Sequence, residues 1–222
     1  MNSPDDTSLL VVIAHPDDEC LGAGGTIASH AKQGIDVDLL CLTGNPVRNR
    51  ELEEAAKILG VRNLLTMERD DFAIDRGLEN RVVEAILQWR PKSIITHSEI
   101  DYNRNHVACA NIVLDAIEWA SHVTQFERAH RVDRVYQMEV NTLLSKPNVM
   151  INVTDSYDTA LEALRCHKSQ MDKADGYYER FYDARTRLRG VQSACDRAEA
   201  FCISLPKHAG PFYPKNCTDR LE

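Results

Sequence analysis

The 222-residue sequence lacks several features that would place it in a common class of protein. No apolar run approaches the length of a membrane-spanning helix, so we expect no membrane span. The sequence has no excess of positive charge; its net charge is −8, which argues against a nucleic-acid-binding protein. Its seven cysteines form no Cys-x-x-Cys pair, a pattern that favours reduced thiols over a disulfide framework.

The first residues, 1–6, are polar and acidic, unlike the apolar centre of a signal peptide. Together with the cysteine pattern, this predicts a cytoplasmic protein. Aromatic residues are few, at 6%, but the hydrophobic fraction of 43% is ordinary for a globular chain. We therefore expect a single domain over residues 1–222, with a full core. The sequence is equally compatible with a monomer and with a homo-oligomer.

Apolar runs of strand length alternate with helical patterns along the first half of the chain. Helices are predicted over residues 26–33, about 48–59, 78–89 and about 107–119, and strands over 9–13, 37–43, 63–66 and 93–97. Such alternation predicts an α/β fold with a parallel sheet and right-handed crossovers. Two further strands, near 134–140 and 148–153, and a helix over 157–173 complete the prediction.

A polar motif follows the first strand directly. Residues 14–19 read Ala-His-Pro-Asp-Asp-Glu, and a glycine-rich segment, 22–25, comes next. The carboxyl end of a strand is where open α/β sheets keep their ligand sites. His15 and Asp18, three residues apart on a tight turn, can bind one ion, and Asp17 would then be free to accept a proton from a water. The alternative is a solvated acidic turn that caps the next helix.

A second polar cluster, residues 97–106, follows the fourth strand. A catalytic metal site normally has three protein ligands and one open position, so a third ligand must join His15 and Asp18. It must come from another strand end or helix start in the same crevice. His106 opens a helix after the fourth strand, although an isolated histidine there is more often a surface residue. Two imidazoles and a carboxylate suit Zn²⁺, and also Fe²⁺ or Co²⁺.

The run 14–19 followed by Gly-Ala-Gly-Gly-Thr-Ile resembles the opening motif of the PIG-L/LmbE-like family of zinc-dependent N-acetylsugar deacetylases. The resemblance extends over about residues 9–201. It implies a Rossmann-like three-layer sandwich with a mostly parallel twisted sheet. It also implies that His15, Asp18 and His106 bind zinc and that Asp17 is the general base.

The same resemblance suggests residues that face the substrate. The chain departs from the family pattern at two positions, Asn103 and Asn105, and at the second an aspartate commonly precedes the ligand. Many members have a histidine three positions before the last ligand, where this chain has Asn103, which can donate a hydrogen bond but no proton at neutral pH. The general acid could then be His97, Asp101 or Asp17 itself. The predicted substrate-binding residues are Arg48, Asp71, Asn103 and Glu139.

Each of these assignments has a simpler alternative. Arg48 could be an ordinary first-turn arginine in water, and Asp71 a solvated loop acid. Glu139 could be a structural, hydrogen-bonded acid. His97 could be a histidine at a strand end, bonded to the backbone.

The sequence therefore predicts a metal-dependent hydrolase that removes an N-acetyl group from an amino sugar or sugar conjugate. Arg48, Arg50 and Arg104 favour a small substrate with a phosphate or nucleotide group. Within the same class, an amidase acting on a thiol-sugar conjugate is an alternative. Outside it, the glycine-rich segment could belong to a nucleotide-binding module, or the ligands to a non-catalytic, metal-stabilised one.

Overall fold

The computed structural model describes residues 8–69, 76–173, 175–204 and 206, and within these ranges no helix is long and apolar enough to cross a membrane. The strands are β1 (Ser8–Ile13), β2 (Asp36–Cys41), β3 (Asn63–Thr66), β4 (Ser93–His97), β5 (Arg134–Met138), β6 (Val149–Asn152) and β7 (Ala198–Ser204). The helices are α1 (Asp18–Lys32), α2 (Pro46–Leu59), α3 (Arg76–Trp89), α4 (Arg104–Ala120), α5 (Tyr157–Leu164), α6 (Lys168–Met171) and α7 (Tyr177–Gln192).

These strands form one mostly parallel sheet, with the order β3-β2-β1-β4-β5-β7-β6. The pairs among β1 to β5 are parallel, whereas β7 is antiparallel to both β5 and β6. From β1 the chain moves outward through β2 and β3, then returns to β4 on the other side of β1. The carboxyl ends of β1 and β4 therefore lie at a topological switch point, where sheets of this kind place their ligand crevice.

Alternate residues of β1 belong to two separate cores, one on each face of the sheet. Val11 and Ile13 pack in the core that contains residues of α1, α2 and α5. Leu10 and Val12 pack in the core that contains residues of α3 and α4. All four side chains are fully buried, as expected for a strand covered on both faces. The predicted Rossmann-like three-layer sandwich is thus confirmed.

Helix α1 begins earlier than the sequence pattern predicts. It starts at Asp18, so residues 22–25 lie inside a helix and not in a turn before it. The helix is kinked at Ala23, which has a φ of −148°. Just beyond the kink, the carboxylate of Glu199 accepts the backbone N–H groups of Gly25 and Thr26, at 2.9 and 2.8 Å. Glu199, on β7, thus caps the second half of the helix much as an N-cap side chain does.

The second half of the chain departs further from the sequence pattern. The helix predicted over 157–173 is two helices, α5 and α6, and the buried His167 lies in the break between them. Helix α7 and strand β7 are not indicated by local periodicity. Because β7 is inserted between β5 and β6, β5 is an interior strand.

Gly25 marks a close approach between α1 and the segment after β6. A Cβ at this position would lie 2.6 Å from Val153 Cβ and 2.8 Å from its Cγ1. Overpacking of this kind costs about 1–3 kcal/mol, more than the ~1 kcal/mol that alanine gains over glycine in a helix. Gly25→Ala is therefore expected to lower the free energy of unfolding, measured in urea.

The control for this substitution is Ser29→Ala, at a half-buried position of the same helix. It should change stability by less than about 0.5 kcal/mol, as surface substitutions usually do. Equal stability of the wild type and Gly25→Ala would show that α1 and Val153 can move apart without cost.

Candidate active site

The turn between β1 and α1 is fixed by contacts from two neighbouring strand ends. The backbone N–H of Ala14 donates to His97 Nε2 at 2.9 Å, and the Ala14 carbonyl accepts the Thr43 hydroxyl at 2.7 Å. Asp17 has a φ of 112°, in the region that residues other than glycine seldom adopt. The turn also folds back on itself, since the His15 N–H donates to Asp18 Oδ2 at 2.8 Å.

The three predicted metal ligands lie together at this turn. His15, Asp18 and His106 each offer a ligand atom, and these atoms lie within 4.8 Å of one another. His106 Nε2 is 3.2 Å from Asp18 Oδ1, and His15 Nδ1 is 3.3 Å from Asp18 Oδ2. Asp18 and His106 are buried, whereas His15 is partly exposed.

These separations fit a common ion. Ligand atoms placed tetrahedrally at about 2.0–2.1 Å from zinc lie ~3.3 Å from one another. The two histidine nitrogens lie 3.2 and 3.3 Å from Asp18, each against a different carboxylate oxygen, and one ligand atom from each residue lies within 4.8 Å of the others. The partial exposure of His15 leaves that side of the group accessible. The donor set and its spacing therefore suit a divalent cation with an open coordination position.

Two further side chains orient the histidines of this group. Asp101 Oδ2 lies 3.3 Å from His106 Nδ1, and Asn105 Nδ2 lies 3.0 Å from His15 Nε2. Partners on the second ring nitrogen are typical of metal-binding histidines, because they fix the orientation of the ring. An amide side chain offers both a donor and an acceptor, so Asn105 can bind His15 Nε2 with or without its proton.

The charges in the group favour a cation. Although burial opposes ionisation, His106 and His97 hold the pKa of Asp18 well below its usual value. Burial also opposes the charged form of His106, but Asp18 and Asp101 raise the pKa of this histidine to about 10. In the metal-free protein the two carboxylates thus stabilise an imidazolium. A cation held by neutral His106 would take the place of that proton.

Asp17, the predicted base, is next to this group and is 8% exposed. Burial and then the neighbouring Asp18 carboxylate raise the pKa of Asp17 to about 8, against the opposing effect of Arg48. Arg48 Nη2 lies 3.2 Å from Asp17 Oδ1 and also donates to the Pro16 carbonyl. The structure therefore brings Arg48 to the turn, in contact with Asp17.

His97 makes contacts that favour the simpler alternative, a strand-end histidine bonded to the backbone. Its Nε2 accepts the Ala14 N–H, so in the neutral ring the proton is on Nδ1, which finds no partner among the described residues. Burial lowers the pKa of His97 despite the nearby Asp18. The ring is fully buried and stacks on His106 at 4.0 Å between centroids. A neutral, enclosed ring is poorly suited to the predicted role of general acid.

Asp101 and Asn103 also have structural partners. Asp101 accepts the backbone N–H groups of Asn103 and Asn141 besides its contact with His106. Burial favours the neutral carboxyl form of Asp101. The contact with His106 and the hydrogen bond from the Asn103 N–H nevertheless lower its pKa. Asn103 is the N-cap of α4, where its Oδ1 accepts the N–H of Asn105 at 2.9 Å. A carboxyl with a lowered pKa is a weak proton donor at neutral pH, which argues against Asp101 as the acid.

The predicted substrate role of Glu139 does not fit its contacts. Its side chain is buried, and both carboxylate oxygens accept hydrogen bonds from Arg189, at 2.9 and 2.6 Å. Oε2 also accepts the Leu144 N–H at 2.8 Å. These contacts are the ones expected of the alternative considered from the sequence, a structural, hydrogen-bonded acid. Asp71 lies outside the described residues.

The glycine-rich segment does not form a phosphate-binding loop, which corrects the nucleotide-binding alternative. All four residues 22–25 are buried in α1. The N–H groups of Gly25 and Thr26, which would face a phosphate, are bound to the Glu199 carboxylate. A fixed negative charge at that position would repel a pyrophosphate.

One pair of residues next to the site, Glu19 and His167, cannot be predicted from local sequence patterns. Glu19, directly after Asp18, accepts a hydrogen bond from His167, 148 positions along the chain, at 2.6 Å. Both side chains are fully buried. The only sequence signal is indirect: a charged residue and a histidine inside otherwise helical, apolar surroundings need partners when buried.

The chain is similar to several known proteins. The family model PIG-L, described as GlcNAc-PI de-N-acetylase, matches residues 10–117, a span that contains the three candidate ligands. A Bacillus cereus protein named "Probable N-acetyl-alpha-D-glucosaminyl L-malate deacetylase 2" is 30% identical over 195 residues, covering 74% of this chain and 84% of that protein. The chain therefore belongs to the PIG-L family.

Other relatives extend the comparison. The diacetylchitobiose deacetylase of Thermococcus kodakarensis is 26% identical, over 77% of this chain and 73% of that protein. The crystal structure of the conserved protein TT1542 from Thermus thermophilus has a TM-score of 0.80 at 27% identity, covering 91% of this chain and 97% of that one. The 4-oxalmesaconate hydratase of Pseudomonas putida is 27% identical, over 87% of this chain and 83% of that protein. The relatives thus include both deacetylases and a hydratase.

Proposed function

We propose that this chain is a metal-dependent hydrolase that removes the N-acetyl group from an amino sugar or sugar conjugate, releasing acetate and a free amine. The observation that carries the proposal is the grouping of His15, Asp18 and His106 around one point, with the buried Asp17 beside them. Three ligands with an accessible side, next to a carboxyl group, are the elements of metal-assisted hydrolysis. The deacetylases among its relatives support the same reaction.

Zinc is the ion that we propose, because a tetrahedral set of imidazole and carboxylate ligands suits it; Fe²⁺ or Co²⁺ are substitutes. When bound, such an ion lowers the pKa of a water to about 7 and polarises a carbonyl group. The protein supplies the ligand set, and Asp101 and Asn105 keep the histidine rings in orientation.

Asp17 is the proposed base, and the proposed acid as well. It accepts a proton from the water that attacks the acetyl carbon, and returns the proton to the nitrogen as the C–N bond breaks. Water and amide thus give acetate and amine. The environment raises the pKa of Asp17 to about 8 without an ion, and a nearby cation would lower it again. A carboxyl group poised near the working pH can serve in both steps.

Arg48 has a double role in this proposal. Its contact with Asp17 Oδ1 at 3.2 Å holds the base in place. The guanidinium group has five N–H donors, so contacts with Asp17 and Pro16 leave others for a substrate group. Arg50 and Arg104 are exposed on α2 and α4. We therefore propose a small N-acetylglucosamine conjugate that carries a phosphate or another anionic group.

The test of substrate class is acetate release from a panel of compounds. The panel contains N-acetylglucosamine, its phosphates, nucleotide-linked N-acetyl sugars and chitin oligomers, and the anionic compounds are expected to give the highest kcat/KM. A hydrogen bond between charged groups contributes about 1.5–3 kcal/mol. Arg48→Ala should therefore lower kcat/KM for an anionic substrate by roughly 10- to 150-fold.

The matched control is Arg81→Ala, which removes an exposed arginine whose contact is Glu84 on the same helix. It should leave kcat/KM unchanged for every compound. The anion preference would be wrong if neutral chitin oligomers were the best substrates. The role of Arg48 would be wrong if Arg48→Ala left kcat/KM unchanged for every compound.

The hydratase among the relatives supports a second candidate function, the addition of water to 4-oxalmesaconate. The same ligand group and the same base could activate water for either acceptor. This compound therefore belongs in the panel, together with a thiol-sugar amide. Turnover of 4-oxalmesaconate, without acetate release from any sugar, would assign the chain to hydration.

A further inference from the structure

A buried ionic pair lies directly behind the turn that carries Asp17. His167 Nε2 and Glu19 Oε1 are 2.6 Å apart, and both side chains are completely buried. The pair joins the start of α1 to the break between α5 and α6. Burial opposes the charged form of His167, but the Glu19 carboxylate raises the pKa of this histidine. His167 can therefore carry a proton in this pair.

The pair, together with Cys20, also has the residue types of a metal site. The distances argue against that function. Two ligand atoms on one zinc ion lie ~3.3 Å apart, whereas His167 Nε2 and Glu19 Oε1 are 2.6 Å apart. This is the length of a strong charge-assisted hydrogen bond.

The second carboxylate oxygen of Glu19 links the pair to Asp17. Oε2 accepts the Asp17 backbone N–H at 3.0 Å, inside the protein. Asp17 has a φ of 112°, a conformation that persists only where surrounding contacts enforce it. Glu19 is thus the contact that holds the backbone N–H of the proposed base, while the Asp17 carbonyl accepts the Leu21 N–H at 3.0 Å. His167 in turn holds Glu19.

Helix α2 also contacts this region, through hydrogen bonds to Glu51. Ser169, two residues after His167, donates its N–H and its hydroxyl to Glu51, at 2.8 and 2.6 Å. Glu51 is on α2, as is Arg48, which contacts the Asp17 side chain at 3.2 Å. The backbone and the side chain of Asp17 are therefore held by two elements that are themselves joined.

We propose that Glu19 and His167 are positioning residues, which hold Asp17 in the geometry needed for proton transfer. The proposal rests on the proposed function in one respect, the role of Asp17 as base. Neither residue touches the substrate. Their loss should affect kcat and leave both KM and metal binding largely intact.

The test compares His167→Leu, which removes the donor, with His167→Gln, whose amide retains one. With an N-acetylglucosamine phosphate as the probe, a compound of the class expected to give the highest kcat/KM, His167→Leu is expected to lower kcat by about 10- to 100-fold, the effect typical of a lost supporting contact. His167→Gln should recover most of that loss. Bound metal, measured by mass spectrometry, should stay at the wild-type level in both variants.

The control is Tyr182→Phe, which removes another buried hydrogen bond, from Tyr182 to Glu199 at 2.8 Å. This bond belongs to the fold and not to the proposed site, so the control should lower the melting temperature without lowering kcat. If His167→Leu does not fold, His167→Asn replaces it, since its shorter amide cannot reach Glu19 in the same way.

A second readout needs no substrate and separates this proposal from the proposed function. In protein labelled with ¹⁵N-aspartate, the Asp17 amide hydrogen should exchange slowly in the wild type and in Tyr182→Phe. Exchange should be faster in His167→Leu. Unchanged exchange, or a loss of kcat in Tyr182→Phe equal to that in His167→Leu, would overturn the positioning role even if the chain proves to be a deacetylase.

Discussion

Asp17→Asn is expected to lower kcat by about 10²- to 10⁴-fold, the range by which a positioned general base accelerates a reaction. Asparagine has nearly the same shape and tolerates a positive φ better than most residues, so the turn should keep its conformation. It cannot accept a proton from water. The ligand group His15, Asp18 and His106 is unchanged by the substitution, so the variant should still bind its metal.

The measurement is kcat for acetate release together with metal content by mass spectrometry. The control is Asp115→Asn, the same chemical change on the exposed face of α4, which should affect neither quantity. Turnover near the wild-type level, with the metal retained, would remove Asp17 from the role of base. A loss of metal in Asp17→Asn would place Asp17 among the ligands instead.

The part of the fold that the sequence predicts well is the part where local pattern decides the structure. The continuous apolar run in β1 is required because both faces of that strand are covered, and the helices between the first four strands show their buried faces by periodicity. The metal ligands can also be predicted from local sequence patterns together with the strand order. His15 and Asp18 are three residues apart, and the parallel topology brings the start of α4 to the same edge.

What the sequence does not predict depends on contacts between distant segments. Glu139 could line a pocket or bind Arg189, and only the packing of α7 against the sheet decides this. The sequence does not show where α1 begins, because glycines usually interrupt helices. In the structure, Gly25 allows close packing inside the helix, and Glu199 caps the half that follows the kink. Local periodicity contains no information about such partners.

The second prediction with a large expected effect concerns the proposed metal ligand His106. His106→Ala is expected to lower metal affinity by more than about 10²-fold, because loss of a mere supporting contact to a ligand already costs 10- to 100-fold. Activity should fall in parallel with metal content. His106 also stabilises the metal-free protein, since in its charged form it lies between the carboxylates of Asp18 and Asp101. His106→Gln, which fills more of the space, is therefore measured beside it.

The matched control is His122→Ala, which removes a histidine one residue beyond the C-cap of α4, where its contact is Glu118 at 2.7 Å. It should retain both metal and activity. Chelation of the wild type should abolish activity and leave a folded chain by circular dichroism, because a catalytic ion sits in a site that the fold has already formed. Unfolding on chelation would indicate a metal-stabilised module instead. Full activity of a metal-free wild type would show that the ligand group has no part in the reaction.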